Sequence, residues 1–140
     1  MKILIVDGQG GGIGRQLVEA LKREGERDLF CVGTNAIATS AMLRAGATRA
    51  ATGENAAIVA CREAEVIVGP IGIVVADALL GEVTPRMAAA VGQSLARKVL
   101  IPVNQCGNFV VGVPLGATTA QLVAQAVEVI LHPAEGDAKS

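Results

Sequence analysis

Residues 2–14 read KILIVDGQGGGIG, and this stretch decides the fold. Ile3 to Val6 is an unbroken apolar run, the pattern of a strand covered on both faces rather than one. Five glycines then fall within seven residues, at Gly8, Gly10, Gly11, Gly12 and Gly14. Beyond them Ile13, Leu17, Val18 and Leu21 recur at helical spacing, with Arg15, Glu19, Lys22 and Arg23 on the opposite face. Gly25 is placed to close that helix in a left-handed C-cap. Strand, glycine loop and helix in immediate succession open a parallel α/β sheet.

Working outward, DLFCVGTN (28–35) gives a second buried strand ending at Gly33, and Ala36 to Ala45 a helix closed by Gly46. ATRAAT (47–52) leaves room for a short third strand, before a helix from near Thr52 to about Ala64. Val66 to Val68 is a fourth strand, and Ile71 to Leu80 reads as a helix stopped by Gly81. Thr84 and Pro85 open a further helix, Thr84 as N-cap and Pro85 in the first turn. Lys98 to Val103 and Phe109 to Val113 read as two strands joined in a hairpin by NQCGN, with Pro102 near a strand end or on an edge. Thr118 and Gln121 form a capping box for the last helix. The pattern predicts a three-layer, Rossmann-like α/β fold with a mostly parallel sheet. One domain is expected over 1–133, followed by a frayed polar tail over 134–140.

Composition narrows the function. The 140 residues suit one domain, and Lys+Arg 12 against Asp+Glu 13 gives a net charge of -1. No basic field exists to hold nucleic acid or an anionic membrane by bulk electrostatics. The single histidine, His132, stands in a polar tail, and there is no Trp or Tyr. Histidine-based catalysis and metal ligation therefore have little to work with, and a tyrosine hydroxyl mechanism is excluded. Cys31, Cys61 and Cys106 match neither a disulfide framework nor a CxxC pattern, which points to a reducing cytosol. The apolar runs are too short for a signal-peptide core or a membrane span, so a soluble cytoplasmic protein is expected.

In open α/β sheets ligands bind outside the carboxyl ends of the strands. The loops there carry the candidates. At Gly8, Gly10, Gly11, Gly12, Ile13 and Gly14, absent Cβ atoms let backbone N–H groups approach a phosphate beside a helix N-terminus. No GxxxxGK[ST] exists, which argues against P-loop chemistry. Thr34 and Asn35 either hydrogen-bond a ribose or cap the helix beginning at Ala36. Gly69, Pro70 and Gly72 either form a flat wall for a base or bend the chain. Thr52, Glu54 and Asn55 read as a helix start or ligand lining, and Asp77 as a helix-surface residue or cap. Asn104, Gln105 and Cys106 belong to a loop at the same sheet edge, with no neighbouring cation to activate the thiol.

The spacing Gly8-x-x-x-Gly12-Ile13-Gly14 resembles the GxxxGIG loop of the short-chain dehydrogenase/reductase family, and EVIVGPIG (65–72) looks like that family's later strand beside the cofactor. The resemblance covers roughly the first 75 residues. It implies NAD or NADP as cofactor, but its Tyr-x-x-x-Lys has no counterpart here, and Gly33, Thr34 and Asn35 supply no carboxylate for a ribose. Asp7, where that family usually has Thr, would repel phosphate unless it caps loop N–H groups or faces a metal. Over the full length, VDGQGGGIG, GTNAIATSAMLRAGA, ATGEN, VGPIGIV and LIPVN together resemble a small bacterial family of unknown function with a Rossmann-like fold. The expected function is binding of NAD, NADP or another nucleotide, a small phosphate-containing ligand, by a homo-oligomer that is not catalytic alone. The alternatives are an NAD(P)-dependent oxidoreductase completed by a partner chain, and an assembly protein whose glycine loop is purely structural.

Overall fold

The computed structural model describes residues 1–103 and 107–133. Five strands, β1 (Ile3–Asp7), β2 (Leu29–Gly33), β3 (Arg49–Thr52), β4 (Val66–Pro70) and β5 (Arg97–Ile101), form one sheet in the order β3-β2-β1-β4-β5. Every pairing is parallel. The helices are α1 (Gly12–Arg23), α2 (Ala36–Ala45), α3 (Glu54–Cys61), α4 (Pro85–Gln93) and α5 (Thr119–Leu131). This is the three-layer Rossmann-like arrangement the sequence predicts.

The uninterrupted apolar strands acquire their reason in the two cores. Ile3 and Ile5 of β1 face a cluster with Leu17, Val18 and Leu21 of α1 and Val123, Val127 and Ile130 of α5. Leu4 and Val6 face the opposite cluster with Ala57 and Cys61 of α3 and Met87 and Val91 of α4. A central strand of a parallel sheet has no polar face to offer solvent. Among the described residues, no helix is long and apolar enough to cross a membrane.

Local end signals act as expected in several places. Thr84 accepts from the Met87 amide and Pro85 opens α4. Thr118 and Gln121 form a reciprocal capping box at α5. Gly25 and Gly46 both take positive φ just past their helices.

Two expected elements are corrected. Phe109 to Val113 forms no strand: it lies in a chain of turns, with Gly107, Gly112 and Gly116 at positive φ. Phe109 and Val111 are 87% and 88% exposed. An apolar run becomes a strand only when a neighbour offers its hydrogen-bonding edge, and Gly112 and Pro114 interrupt this one. The sheet therefore stays wholly parallel, with β5 on its edge. Ile71 to Leu80 is likewise not one helix. A short 3-10 turn over Ile71–Val74 ends at an extended Val75, and Asp77, Leu79 and Leu80 then all take left-handed φ. This compact turn buries Ile73, Ala78, Leu79 and Val83 over the sheet, which a straight helix would not do with the same spacing. Asp77 is accordingly an exposed turn residue, its amide donating to the Val83 carbonyl at 2.7 Å.

Candidate functional site

Strand order reverses between β1 and β4, and the glycine loop leaves the carboxyl end of β1 at that point. Asp7 ends β1 and is 4% exposed. Its carboxylate turns back into its own loop, Oδ1 accepting from the Gly8 amide at 2.8 Å and Oδ2 from the Gly14 amide at 2.7 Å. Burial pushes its pKa up, while these two bonds work to lower it and the nearby Glu82 charge raises it further. Asp7 therefore caps loop amides from the inside.

The five glycines divide by what a side chain would meet. At Gly8 a Cβ would come within 2.5 Å of Thr34 Oγ1. At Gly11, held at φ 74, it would lie 2.9 Å from the Ala38 Cα. At Gly14 it would meet Met42 and Asp7. These three are required by packing of α1, α2 and the strands. At Gly10 and Gly12 a Cβ would find nothing within 4 Å, and neither has positive φ. The fold itself gives no reason for glycine there. The amides of Gly10 and Gly12 also make no hydrogen bond among the described residues, whereas Gly11 donates to the Gly8 carbonyl at 2.9 Å. Gly12 begins α1, whose first turn has no acidic residue and whose N-cap, Gly11, has no side chain to satisfy these donors.

A cleft of about 250 Å³ opens over this surface, lined by Asp7, Gly8 to Ile13, Gln16, Leu79 and Thr119. That is below the roughly 300 Å³ at which pockets for whole small molecules begin. Larger hollows lie elsewhere, one of about 630 Å³ beside β5 and α5.

Next to the glycine loop, one strand over, stands a carboxylate that sequence reading missed. Glu82 Oε1 accepts from Thr34 Oγ1 at 2.6 Å, from Asn35 Nδ2 at 2.7 Å and from the Gln9 amide at 2.9 Å. The Thr34 hydrogen bond is the main cause that holds its pKa below the usual value, with the Gln9 and Asn35 bonds adding to it against partial desolvation. Asn35 is at once the N-cap of α2, its Oδ1 accepting from the Ala38 amide at 2.9 Å. Leu79, Gln16 and Thr119 also reach the cleft without having been singled out. No local motif marks them for the cleft, since Leu79 lies in the β4–α4 crossover and Thr119 at the start of α5, both far along the chain.

The remaining candidates fall elsewhere. Gly69 lies within β4, where a Cβ would collide with the Val6 carbonyl, so it serves the approach of β4 to β1. Pro70 ends β4 and Gly72 is in the 3-10 turn; none of the three lines the cleft. Thr52 pairs with Thr39 at 2.7 Å, and Glu54 accepts from Thr84 Oγ1 at 2.7 Å, which ties α3 to α4. Asn104, Gln105, Cys106 and the tail from 134 lie outside the described residues. Cys31 and Cys61 are buried, and burial pushes their thiols up to about 12 and about 11.

A family model described as a domain of unknown function, DUF3842, matches residues 2–135. No curated protein matches the chain.

Proposed function

We propose, for a chain that belongs to the DUF3842 family, that it binds a nucleotide or dinucleotide by laying a phosphate on Gly10 and Gly12. The observation that carries this reading is the pair of glycines that nothing in the fold requires, each with an unused amide, at the start of α1. Amides at a helix N-terminus bind anions through their N–H groups and the helix dipole together. The likeness of Gly8-x-x-x-Gly12-Ile13-Gly14 to a dehydrogenase cofactor loop supports the same use. Both Asp7 oxygens are engaged with Gly8 and Gly14, so its carboxylate occupies neither the Gly10 nor the Gly12 amide.

Binding proceeds without catalysis by this chain alone. Of the described residues lining the cleft, Asp7 is the one ionisable side chain, and its oxygens accept from the Gly8 and Gly14 amides. Among the described residues no acid-base pair lines the cleft.

The test is a thermal-shift panel with NAD, NADP, FAD, ATP, GTP and coenzyme A. A ligand at a hundred times its Kd adds about 2.7 kcal/mol of stability. At least one nucleotide is expected to raise the melting temperature, and Gly12→Val to abolish that rise while the variant still melts cooperatively. Absence of any shift at millimolar ligand overturns the proposal; a shift that survives in Gly12→Val moves the site away from this loop.

A further inference from the structure

The turn over 75–83 is built at a conformational cost and delivers two side chains to the glycine loop. Leu79 and Leu80 both sit at φ 56 and Asp77 at φ 66, a region that disfavours residues with a Cβ. Consecutive left-handed leucines persist only where the surroundings hold them. Here Leu79 turns inward to line the cleft while Leu80 is 96% exposed, and the chain then projects Glu82 towards the end of β2. Its Oε1 is fixed by three donors from two separate loops, those of Gln9, Thr34 and Asn35. Among the described residues its Oε2 accepts no hydrogen bond, because all three go to Oε1.

The register places the residues that hold Glu82. Asp7 pairs with Gly33, so Thr34 leaves β2 beside Gly8 leaving β1, and neighbouring strands lie about 4.8 Å apart. A sugar esterified to a phosphate on Gly10 and Gly12 and directed towards β2 would meet this carboxylate, whose free Oε2 can accept hydrogen bonds from vicinal hydroxyls and whose charge repels a second anion. Resting on the phosphate reading above, we propose that Glu82 reads the ribose: the ligand carries free 2′- and 3′-hydroxyls, as NAD and ADP-ribose do, and a 2′-phosphate is rejected. Glu82 thus does from the β4–α4 crossover what Gly33, Thr34 and Asn35 lack the carboxylate to do.

Isothermal titration of the full chain with NAD and with NADP tests this directly. NAD is expected to bind at least tenfold more tightly than NADP, and Glu82→Gln to cut that ratio at least tenfold. AMP against 2′-deoxyAMP on the unaltered chain reads the hydroxyl without any substitution, with at least a threefold preference for AMP expected. NADP binding as tightly as NAD, a ratio unchanged in a folded Glu82→Gln, or equal binding of AMP and 2′-deoxyAMP would each overturn the role of Glu82 while leaving phosphate binding at Gly10 and Gly12 intact. Failure of all four nucleotides to bind the unaltered chain at millimolar concentration overturns the role of Glu82, and the phosphate reading falls with it only if the thermal-shift panel also shows no ligand.

Discussion

Asp7 Oδ2 accepts the Gly14 amide at 2.7 Å, so the last residue of β1 holds the first turn of α1. The carboxylate is buried, and its partner amides would be left unsatisfied without it. Asp7→Ala is expected to cost about 1 to 3 kcal/mol, read as a lowered denaturant midpoint with unchanged slope. A change below about 0.5 kcal/mol would show that water replaces the carboxylate at no cost.

The pH dependence of Asp7 and Glu82 runs in opposite senses. Burial raises the Asp7 pKa in the folded chain, so its titration contributes stability that is present below the unfolded value of 3.8 and lost as pH rises through the raised one. Hydrogen bonds lower that of Glu82, so its contribution is present above the unfolded value of 4.5 and lost as pH falls through the lowered one. The melting-temperature difference between the unaltered chain and Glu82→Gln is expected to be positive at pH 7 and to shrink on acidification below 4.5. A difference constant from pH 7 to pH 3 would remove Glu82 ionisation from the account.

Gly12 and Gly69 make a paired comparison. A Cβ at Gly12 enters open space at the head of α1, whereas at Gly69 it strikes the Val6 carbonyl across the sheet. Gly12→Ala should leave stability unchanged or raise it by up to about 1 kcal/mol, because Ala favours helix. Gly69→Ala should lose about 3 kcal/mol or more, since neither central strand can move without breaking its ladder. Chemical denaturation of the two variants measures both; similar losses would mean that Gly12 is needed for folding.

Cys31 and Cys61 should be inert in the folded state. Their thiols are pushed up to about 12 and about 11 by burial, which leaves little thiolate at pH 8. In a Cys106→Ser chain, a disulfide reagent is expected to titrate no thiol natively and two in denaturant. Rapid native labelling would show that the sheet opens around β2 or α3.

Where the controlling interactions are local, the sequence was informative. β1, the glycine loop and α1 follow from an apolar run, a glycine cluster and a helical repeat, each complete within a few residues. Asn35 as a cap of α2, Thr84 of α4 and the Thr118 and Gln121 box of α5 follow in the same way, because a cap bonds an amide two or three positions away. The run from Phe109 to Val113 misleads for the complementary reason: its apolar pattern is local, but pairing with the open edge of β5 is not, and Gly112 and Pro114 interrupt it.

The sequence by itself determined a parallel α/β sheet with a glycine loop at the end of its first strand, since burial on both faces demands continuous apolar strands and the loop must fit between strand and helix. Only the tertiary structure decided which glycines are spare, because that depends on what α2 and the β4–α4 crossover press against them. It alone also brought Glu82 to Thr34 across 48 residues of chain, through a crossover whose left-handed turn no repeating pattern announces. A carboxylate therefore stands beside the end of β2 in the fold, supplied from the β4–α4 crossover.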